Sequence, residues 1–155
     1  LGHASGRCHC ALDRVARYRG RVSGPLLDRI DLGVEVPALA SEAVALGGMG
    51  SGASAAQALT SAEVQIEVAA ARNRQIARQG KPNARLLPRE IEAYCRPDSA
   101  GAALLASAMA RLSLSARAYH RILKVARTIA DLAGANEMAA PQVAEAVAYR
   151  RFDRI

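Results

Sequence analysis

Apolar residues recur at intervals of three and four through most of the second half of the chain, the spacing of one face of an α-helix. The pattern is clearest from Leu112 to Gly134. One face of this segment carries Tyr119, Ile122, Leu123, Ala126, Ile129, Ala130 and Ala133. The other carries Arg117, Arg121, Lys124, Thr128 and Asp131. Ser113 or Ser115 can cap the first turn and Gly134 can close the last. The segment therefore predicts an amphipathic helix with Arg117 near its start, where it can reach an anion.

Capping residues and helix breakers predict further helices on either side. Pro88 and Pro141 suit first helical turns, and Gly80, Lys81 and Pro82 end the helix before them. The predicted helices are Leu12 to Arg19, a single turn Leu26 to Arg29, Thr60 or Ser61 to about Gln79, Pro88 to Tyr94, Asp98 or Ser99 to about Leu112, and Pro141 to about Phe152. A bundle of four or five helices in the second half is the natural interpretation.

The first part of the chain is organised differently. Residues Ile30 to Val36 alternate apolar and other residues, which predicts a strand that Pro37 ends. The stretch from Leu46 to Ala58 is rich in glycine, serine and alanine and is typical of a flexible linker. We therefore predict a mainly α chain with three parts: residues 1–40, a linker at 41–59, and a helical domain at 60–155.

The net charge of the chain indicates what kind of partner it binds. The formal net charge is +7, and Lys81 and Lys124 are the only lysines, so arginine carries nearly all of it. Guanidinium groups favour phosphate-bearing partners, either nucleotide or nucleic acid, although contacts with acidic neighbouring subunits are equally compatible. No membrane span or signal peptide is indicated, which predicts a cytoplasmic protein. The chain begins with Leu1 rather than methionine, which suggests a piece of a longer protein.

Four segments of the chain, in order, carry a family resemblance. They read RVSGPLLDRIDLGVEVP (21–37), ARNRQIARQGKPNA (71–84), LSLSARAYHRILKVARTIADLAG (112–134) and AEAVAYRRFDR (144–154). Together they resemble the C-terminal part of magnesium-chelatase-like AAA+ ATPases of the ComM (YifB) type. The resemblance implies a helical AAA+ lid bundle, preceded by the last strand and helix of an α/β ATPase core.

The resemblance also implies roles for two arginines. Arg29, in LLDRID, matches the arginine finger that acts in trans on a neighbouring subunit's nucleotide; local sequence alone favours a salt bridge with Asp28 or Asp31. Arg117, in SARA, matches the sensor-2 position that contacts nucleotide phosphates, in cis or in trans. Without the resemblance, Arg117 is a solvated arginine, an interpretation that suits Arg121 and Arg127 better.

Two departures from the family pattern bear on activity. The phosphate loop GxxxxGK[ST] and the acidic strand that holds magnesium are absent from this sequence, and the family places both upstream. We therefore expect this chain alone not to hydrolyse ATP. The family's V-R-x-R-V segment reads Val-Gln-Ile-Glu-Val here, with Gln65 and Glu67 in place of arginines.

Cys8 and Cys10 match the second half of a family loop whose first cysteine pair, in NPCPCG, precedes this chain. Four such cysteines could hold Zn²⁺ tetrahedrally, so these two are half of a candidate zinc site, with His3 or His9 as substitute ligands. Cys95 stands alone on a predicted helix and is interpreted as a small core residue.

For the intact protein, the resemblance implies an ATPase that uses ATP and Mg²⁺ in a hexameric ring. It would act on branched DNA during recombination in natural transformation. The alternative within the superfamily is an ATPase subunit of magnesium chelatase, which inserts metal into a porphyrin. An alternative from another class is a free-standing helical binding module without an ATPase role.

Overall fold

The structure, a computed structural model, describes residues 9–27, 29–36 and 59–150. Within these ranges the regular structure is helical, which confirms the mainly α prediction. The α-helices are α1 (Leu12–Arg19), α2 (Gly24–Leu27), α3 (Ser61–Gln79), α4 (Pro88–Tyr94), α5 (Ser99–Leu112), α6 (Ala116–Leu132) and α7 (Ala140–Ala148), with a 3₁₀ turn at Asn83–Arg85. Helices α3 to α7 form the predicted bundle.

The starts of α3 and α6 lie where the capping residues predict, whereas α2 begins at Gly24, two residues before the predicted turn. Thr60 caps α3: its hydroxyl accepts from the Glu63 N–H, and the Glu63 carboxylate accepts from the Thr60 N–H at 2.7 Å. Ser115 caps α6 by accepting from the Ala118 N–H at 3.2 Å. Ser113, the other candidate, instead ends α5 in the left-handed region, with φ of 48°. Helix α6 therefore begins at Ala116, which places Arg117 in its first turn.

The strand predicted for Ile30 to Val36 is wrong for the described residues. This stretch has no regular secondary structure. A strand needs a neighbour to pair its N–H and C=O groups, and no other strand lies within 9–27, 29–36 and 59–150. Instead Gly33 donates its N–H to the Tyr149 carbonyl at 2.9 Å, which ties the segment to the end of α7.

Helix α6 occupies the centre of the bundle, where it packs against α3, α4, the 3₁₀ turn and α7, while α5 packs on α7. The buried core consists of aliphatic side chains together with one cysteine and one methionine. Its members are Leu86, Ile91, Cys95, Leu105, Ile122, Leu123, Ala126, Met138, Val143 and Ala146. Cys95 is 1% exposed, which confirms its assignment to the core.

Some predictions fall on residues outside the described ranges. These are the linker at 41–58, Cys8, Asp28, and the continuation of the last helix to Phe152. Within the described part of the chain, every helix is too short or too polar to cross a lipid bilayer.

Candidate functional site

A groove of about 780 Å³ runs along α6, within the range of roughly 300–1,000 Å³ typical of small-molecule sites. We call it the basic groove. Its apolar floor is formed by Leu86, Pro88, Ile91, Val125, Ile129 and Leu132. Its polar wall carries Asp31, Arg117, His120, Arg121, Lys124, Thr128, Glu145 and Tyr149. The groove thus combines apolar surface with a cluster of cations.

The cations of the basic groove differ in how far they are engaged by protein atoms. Arg117, in the first turn of α6, is exposed. Lys124 is partly buried and donates to the Ala84 carbonyl at 3.1 Å. Burial and the neighbouring Arg121 charge lower the pKa of Lys124. An anion beside Lys124 would offset both effects. The same wall also carries two carboxylates, Asp31, which pairs with Arg121, and Glu145, which accepts from the Tyr149 hydroxyl.

Arg121 connects the groove wall to the segment before the predicted linker. Its Nη1 donates to the backbone carbonyl of Arg29 at 2.7 Å and forms an ion pair with Asp31. Both partners lie far from Arg121 in sequence, so the contact joins α6 to the segment after α2.

The same segment is held at two further points. Arg150 donates to the Ile30 carbonyl, and the Gly33 N–H donates to the Tyr149 carbonyl. We call residues 29–33 the strap. The strap lies across α6 and the C-terminal end of α7, and Asp31 and Leu32 form one edge of the basic groove.

The structure places Arg29 and Arg117 in different surroundings. The Arg29 side chain is exposed, and its Nη1 donates to the Pro25 carbonyl at 3.2 Å. Asp31, one of the two salt-bridge partners suggested by local sequence, pairs with Arg121 instead. Arg117 lines the basic groove and Arg29 does not. The two candidate site residues are therefore not brought together side by side, although Arg121 lies between their elements.

Sequence reasoning missed a buried charged network on another side of α6. Asp131 is 1% exposed and binds Arg78 Nη1 at 2.6 Å and Arg127 Nη2 at 3.0 Å. Arg127 also donates to the Ala135 and Asn136 carbonyls, at 2.6 Å and 2.8 Å. The expectation that Arg127 is solvated is therefore wrong, because a carboxylate and two loop carbonyls surround its guanidinium.

Asn83 completes this network, which we call the buried clamp. Its amide nitrogen donates to Asp131 at 2.9 Å and to Thr128 at 3.0 Å, and its amide oxygen accepts from Arg78 at 3.0 Å. Burial alone would raise the pKa of Asp131, but hydrogen bonds from Arg78 and Asn83 and the Arg127 charge hold it below its ordinary value. The clamp joins α3, the 3₁₀ turn and α6, which explains why polar residues recur in ARNRQIARQGKPNA.

The described residues give no support for a metal centre. Cys10 is exposed, and nowhere in 9–27, 29–36 and 59–150 do three or more histidine, cysteine or acidic side chains group as ligands. Burial raises the pKa of the Cys95 thiol to about 11, consistent with a core side chain rather than a reactive one.

Comparison with known proteins finds two family models along the chain. The model described as magnesium chelatase, subunit ChlI C-terminal, matches residues 58–150. The model described as magnesium chelatase, subunit ChlI, matches residues 1–44. The first match contains the basic groove's α6 wall and the buried clamp, and the second contains the strap.

Individual relatives align along nearly the whole chain. Competence protein ComM of Haemophilus influenzae is 42% identical over 155 residues, which covers 99% of this chain and 29% of the relative. The uncharacterized protein YifB of Salmonella typhimurium is also 42% identical, and that of Escherichia coli is 40% identical over 159 residues. The chain thus spans about 29% of the length of these relatives.

Proposed function

Because the chain belongs to the magnesium chelatase subunit ChlI family, we propose that it is the C-terminal part of an AAA+ ATPase. Residues 1–40 would be the end of the ATPase core, 41–59 a linker and 60–155 the lid. The interval between the two family matches, residues 45–57, falls inside the proposed linker and supports this division. The five-helix bundle, α3 to α7, supports the assignment of a lid.

The observation that carries the proposal is the exposed Arg117 in the basic groove, at the start of the most strongly amphipathic helix. We assign it the sensor-2 role: its guanidinium would bind the phosphates of ATP and pull the lid towards the nucleotide. Lys124, held in the groove wall by the Ala84 carbonyl, would help to stabilise the charge that develops on the transferred phosphoryl group. The apolar floor offers surface for the nucleoside.

Arg29 would act in trans as the arginine finger, on ATP bound by the neighbouring subunit of a ring, most simply a hexamer. Two features support this role. The side chain is exposed, and its neighbour Asp31 is engaged by Arg121. Mg²⁺ would enter with ATP and be held by residues upstream of this chain, since the phosphate loop and acidic strand are not in this sequence. The chain alone would therefore not turn over ATP.

For the intact protein we propose ATP-driven remodelling or branch migration of DNA in recombination during natural transformation, in the cytoplasm. The similarity to a relative named a competence protein and the net charge of +7 support this proposal. The family description favours one alternative, the ATPase subunit of a magnesium chelatase, whose work would be metal insertion into a porphyrin.

The test is ATP hydrolysis by the intact protein, with and without branched DNA, in wild type, Arg29→Ala and Arg117→Ala. Arg72→Ala is the matched control, since Arg72 is exposed on α3 and does not line the groove. DNA-stimulated turnover that collapses in the two variants and persists in the control supports the proposal. Turnover that neither variant changes would refute both assigned roles, and turnover insensitive to DNA would favour the chelatase alternative.

A further inference from the structure

Arg121 has two partners whose combination bears on how the two proposed arginine sites communicate. It lies one helical turn after Arg117 on α6, so both guanidinium groups are on the groove side of the same helix. Its Nη1 donates to the backbone carbonyl of Arg29 and pairs with the carboxylate of Asp31. One side chain therefore joins the helix of Arg117 to the backbone of Arg29.

The two elements that Arg121 joins, α6 and the strap, are each held firmly by other contacts. Helix α6 is held in the bundle by the buried clamp and the aliphatic core, so it moves as a unit with the lid. The strap is held on α6 through Arg121 and on α7 through the Gly33 to Tyr149 bond. Arg150 also holds the strap through the Ile30 carbonyl, but Arg121 is the side chain that bonds the Arg29 carbonyl itself. A displacement of the bundle would therefore move the backbone of Arg29.

The ion pair between Arg121 and Asp31 is also partly open to solvent. The side chains of Arg121 and Asp31 are 25% and 57% exposed, so solvent screens their attraction. The contact between Arg78 and Asp131 in the clamp differs, because its carboxylate is 1% exposed. The carboxylate of the Arg121 pair is thus far more open to solvent than the carboxylate of the clamp.

We propose that Arg121 is a positioning residue that couples the nucleotide sensed through Arg117 to the placement of Arg29 towards the neighbouring subunit. The inference rests on the proposed function. When phosphates draw Arg117 and α6 towards the nucleotide, Arg121 moves the strap with them. The position of the strap in turn sets the orientation of the Arg29 side chain towards the neighbouring subunit. Asp31 holds the Arg121 guanidinium in line with the Arg29 carbonyl. ATP binding in one subunit then alters hydrolysis in the next.

The test uses the intact protein and compares Arg121→Gln, Arg121→Lys and Asp31→Asn with Arg29→Ala. Three quantities are measured: affinity for a fluorescent ATP analogue, turnover as a function of ATP concentration, and the melting midpoint. Arg72→Gln is the control. We expect Arg121→Gln to bind nucleotide within about twofold of wild type, because it acts on placement rather than on binding. Its kcat should fall about 10- to 100-fold, as expected when a catalytic group is displaced by about an ångström.

Two measurements distinguish coupling from a merely structural role: the cooperativity of ATP turnover, and the turnover of a double variant compared with its single variants. The Hill coefficient for ATP should fall towards one in Arg121→Gln and Asp31→Asn, while Arg121→Lys, which keeps a donor and the charge, retains most of it. The double variant Arg121→Gln with Arg29→Ala should be no slower than Arg29→Ala alone, because Arg121 acts through Arg29.

Two results would overturn the coupling. Multiplicative losses in the double variant would show that Arg121 acts independently of Arg29. A lowered melting midpoint with unchanged cooperativity would make it a packing residue. These outcomes are distinct from failure of the proposed function, in which Arg29→Ala itself keeps wild-type turnover and the finger assignment falls together with the coupling.

Discussion

Arg117 and Arg127 lie on the same helix, yet their surroundings are opposite. Arg127 is 4% exposed, and its guanidinium binds Asp131 and the carbonyls of Ala135 and Asn136. Arg117 is exposed at the edge of an open groove. The donors of Arg127 are bound by protein atoms, whereas Arg117 has room for a ligand. The comparison teaches that an arginine on a polar helix face is a site candidate only when the fold leaves it accessible.

The difference arises from the residues that stand one helical turn further along the chain. One turn after Arg127 stands Asp131, and the loop to α7 then returns two carbonyls to the same guanidinium. One turn after Arg117 stands another arginine, Arg121, which the strap occupies. Because like charges at this spacing do not pair, Arg117 is left for an external anion.

The largest effect we expect comes from breaking the buried clamp. Replacing Asp131 by Asn keeps its shape but leaves Arg78 and Arg127 beside a neutral group. Removing one partner of a buried ion pair typically lowers the free energy of unfolding by about 3–5 kcal/mol. Chemical unfolding followed by circular dichroism measures it. Arg117→Ala, an exposed replacement, should change the free energy of unfolding by less than about 0.5 kcal/mol.

Equal losses of unfolding free energy in Asp131→Asn and Arg117→Ala would remove the distinction between the two sides of α6. The contrast would also weaken if neither variant lost stability, since the clamp would then not hold α3 against α6.

Acid should weaken the clamp in a defined direction. The folded-state pKa of Asp131 is lowered, so its stabilising contribution is fully present above the unfolded value, near 3.9, and is lost as pH falls through the folded value. The difference in unfolding free energy between wild type and Asp131→Asn should be constant from about pH 6 to pH 8 and shrink below about pH 4. Unfolding curves at several pH values measure it, and a difference that grew on acidification would contradict the account.

Much of the fold could be predicted from local signals in the sequence. Helix α1 has the predicted bounds, as does α4 with Pro88 in its first turn, and Thr60 and Asp98 cap α3 and α5. Caps and prolines act within one helical turn, so a short stretch of sequence contains the whole cause.

The features that sequence missed depend on distant partners. The strand at residues 30–36 was inferred from alternation, but a strand exists only where another strand accepts its hydrogen bonds. Arg78 and Asp131 meet across two helices, and Arg121 meets Asp31 across most of the chain. On a helix pattern these residues look like solvated charges, because periodicity separates polar from apolar positions without identifying which polar groups find partners.

In the candidate site, too, the features set by local sequence could be predicted and those set by distant partners could not. The groove position of Arg117 agrees with the prediction that it lies near the start of α6, on the polar face. The engagement of the Arg29 carbonyl by Arg121 could not be predicted, because it depends on how the strap lies across the bundle. The functional roles of both arginines remain predictions.

Substitutions at the two junctions that flank α6 should change the free energy of unfolding in opposite directions, each by about 1 kcal/mol or less. Ser113 holds φ of 48°, so Ser113→Gly should relieve strain and raise the free energy of unfolding by about 0.5–1 kcal/mol. Gly134 holds φ of 69°, so Gly134→Ala should lower it by about 1 kcal/mol. Thermal unfolding of the pair measures both, and a stabilising Gly134→Ala would contradict the left-handed assignment.

The most direct test of the contrast between Arg117 and Arg127 is the melting midpoint of the intact protein, with and without ATP, in Arg117→Ala and Arg127→Ala. A ligand that binds only the folded state raises the midpoint, and at a fixed ligand concentration the rise is larger when the ligand binds more tightly. We predict that Arg117→Ala melts like wild type without ATP but shows a reduced ATP-induced rise, whereas Arg127→Ala melts lower even without ATP. A lower midpoint without ATP in Arg117→Ala, together with an undiminished ATP-induced rise, would contradict the account.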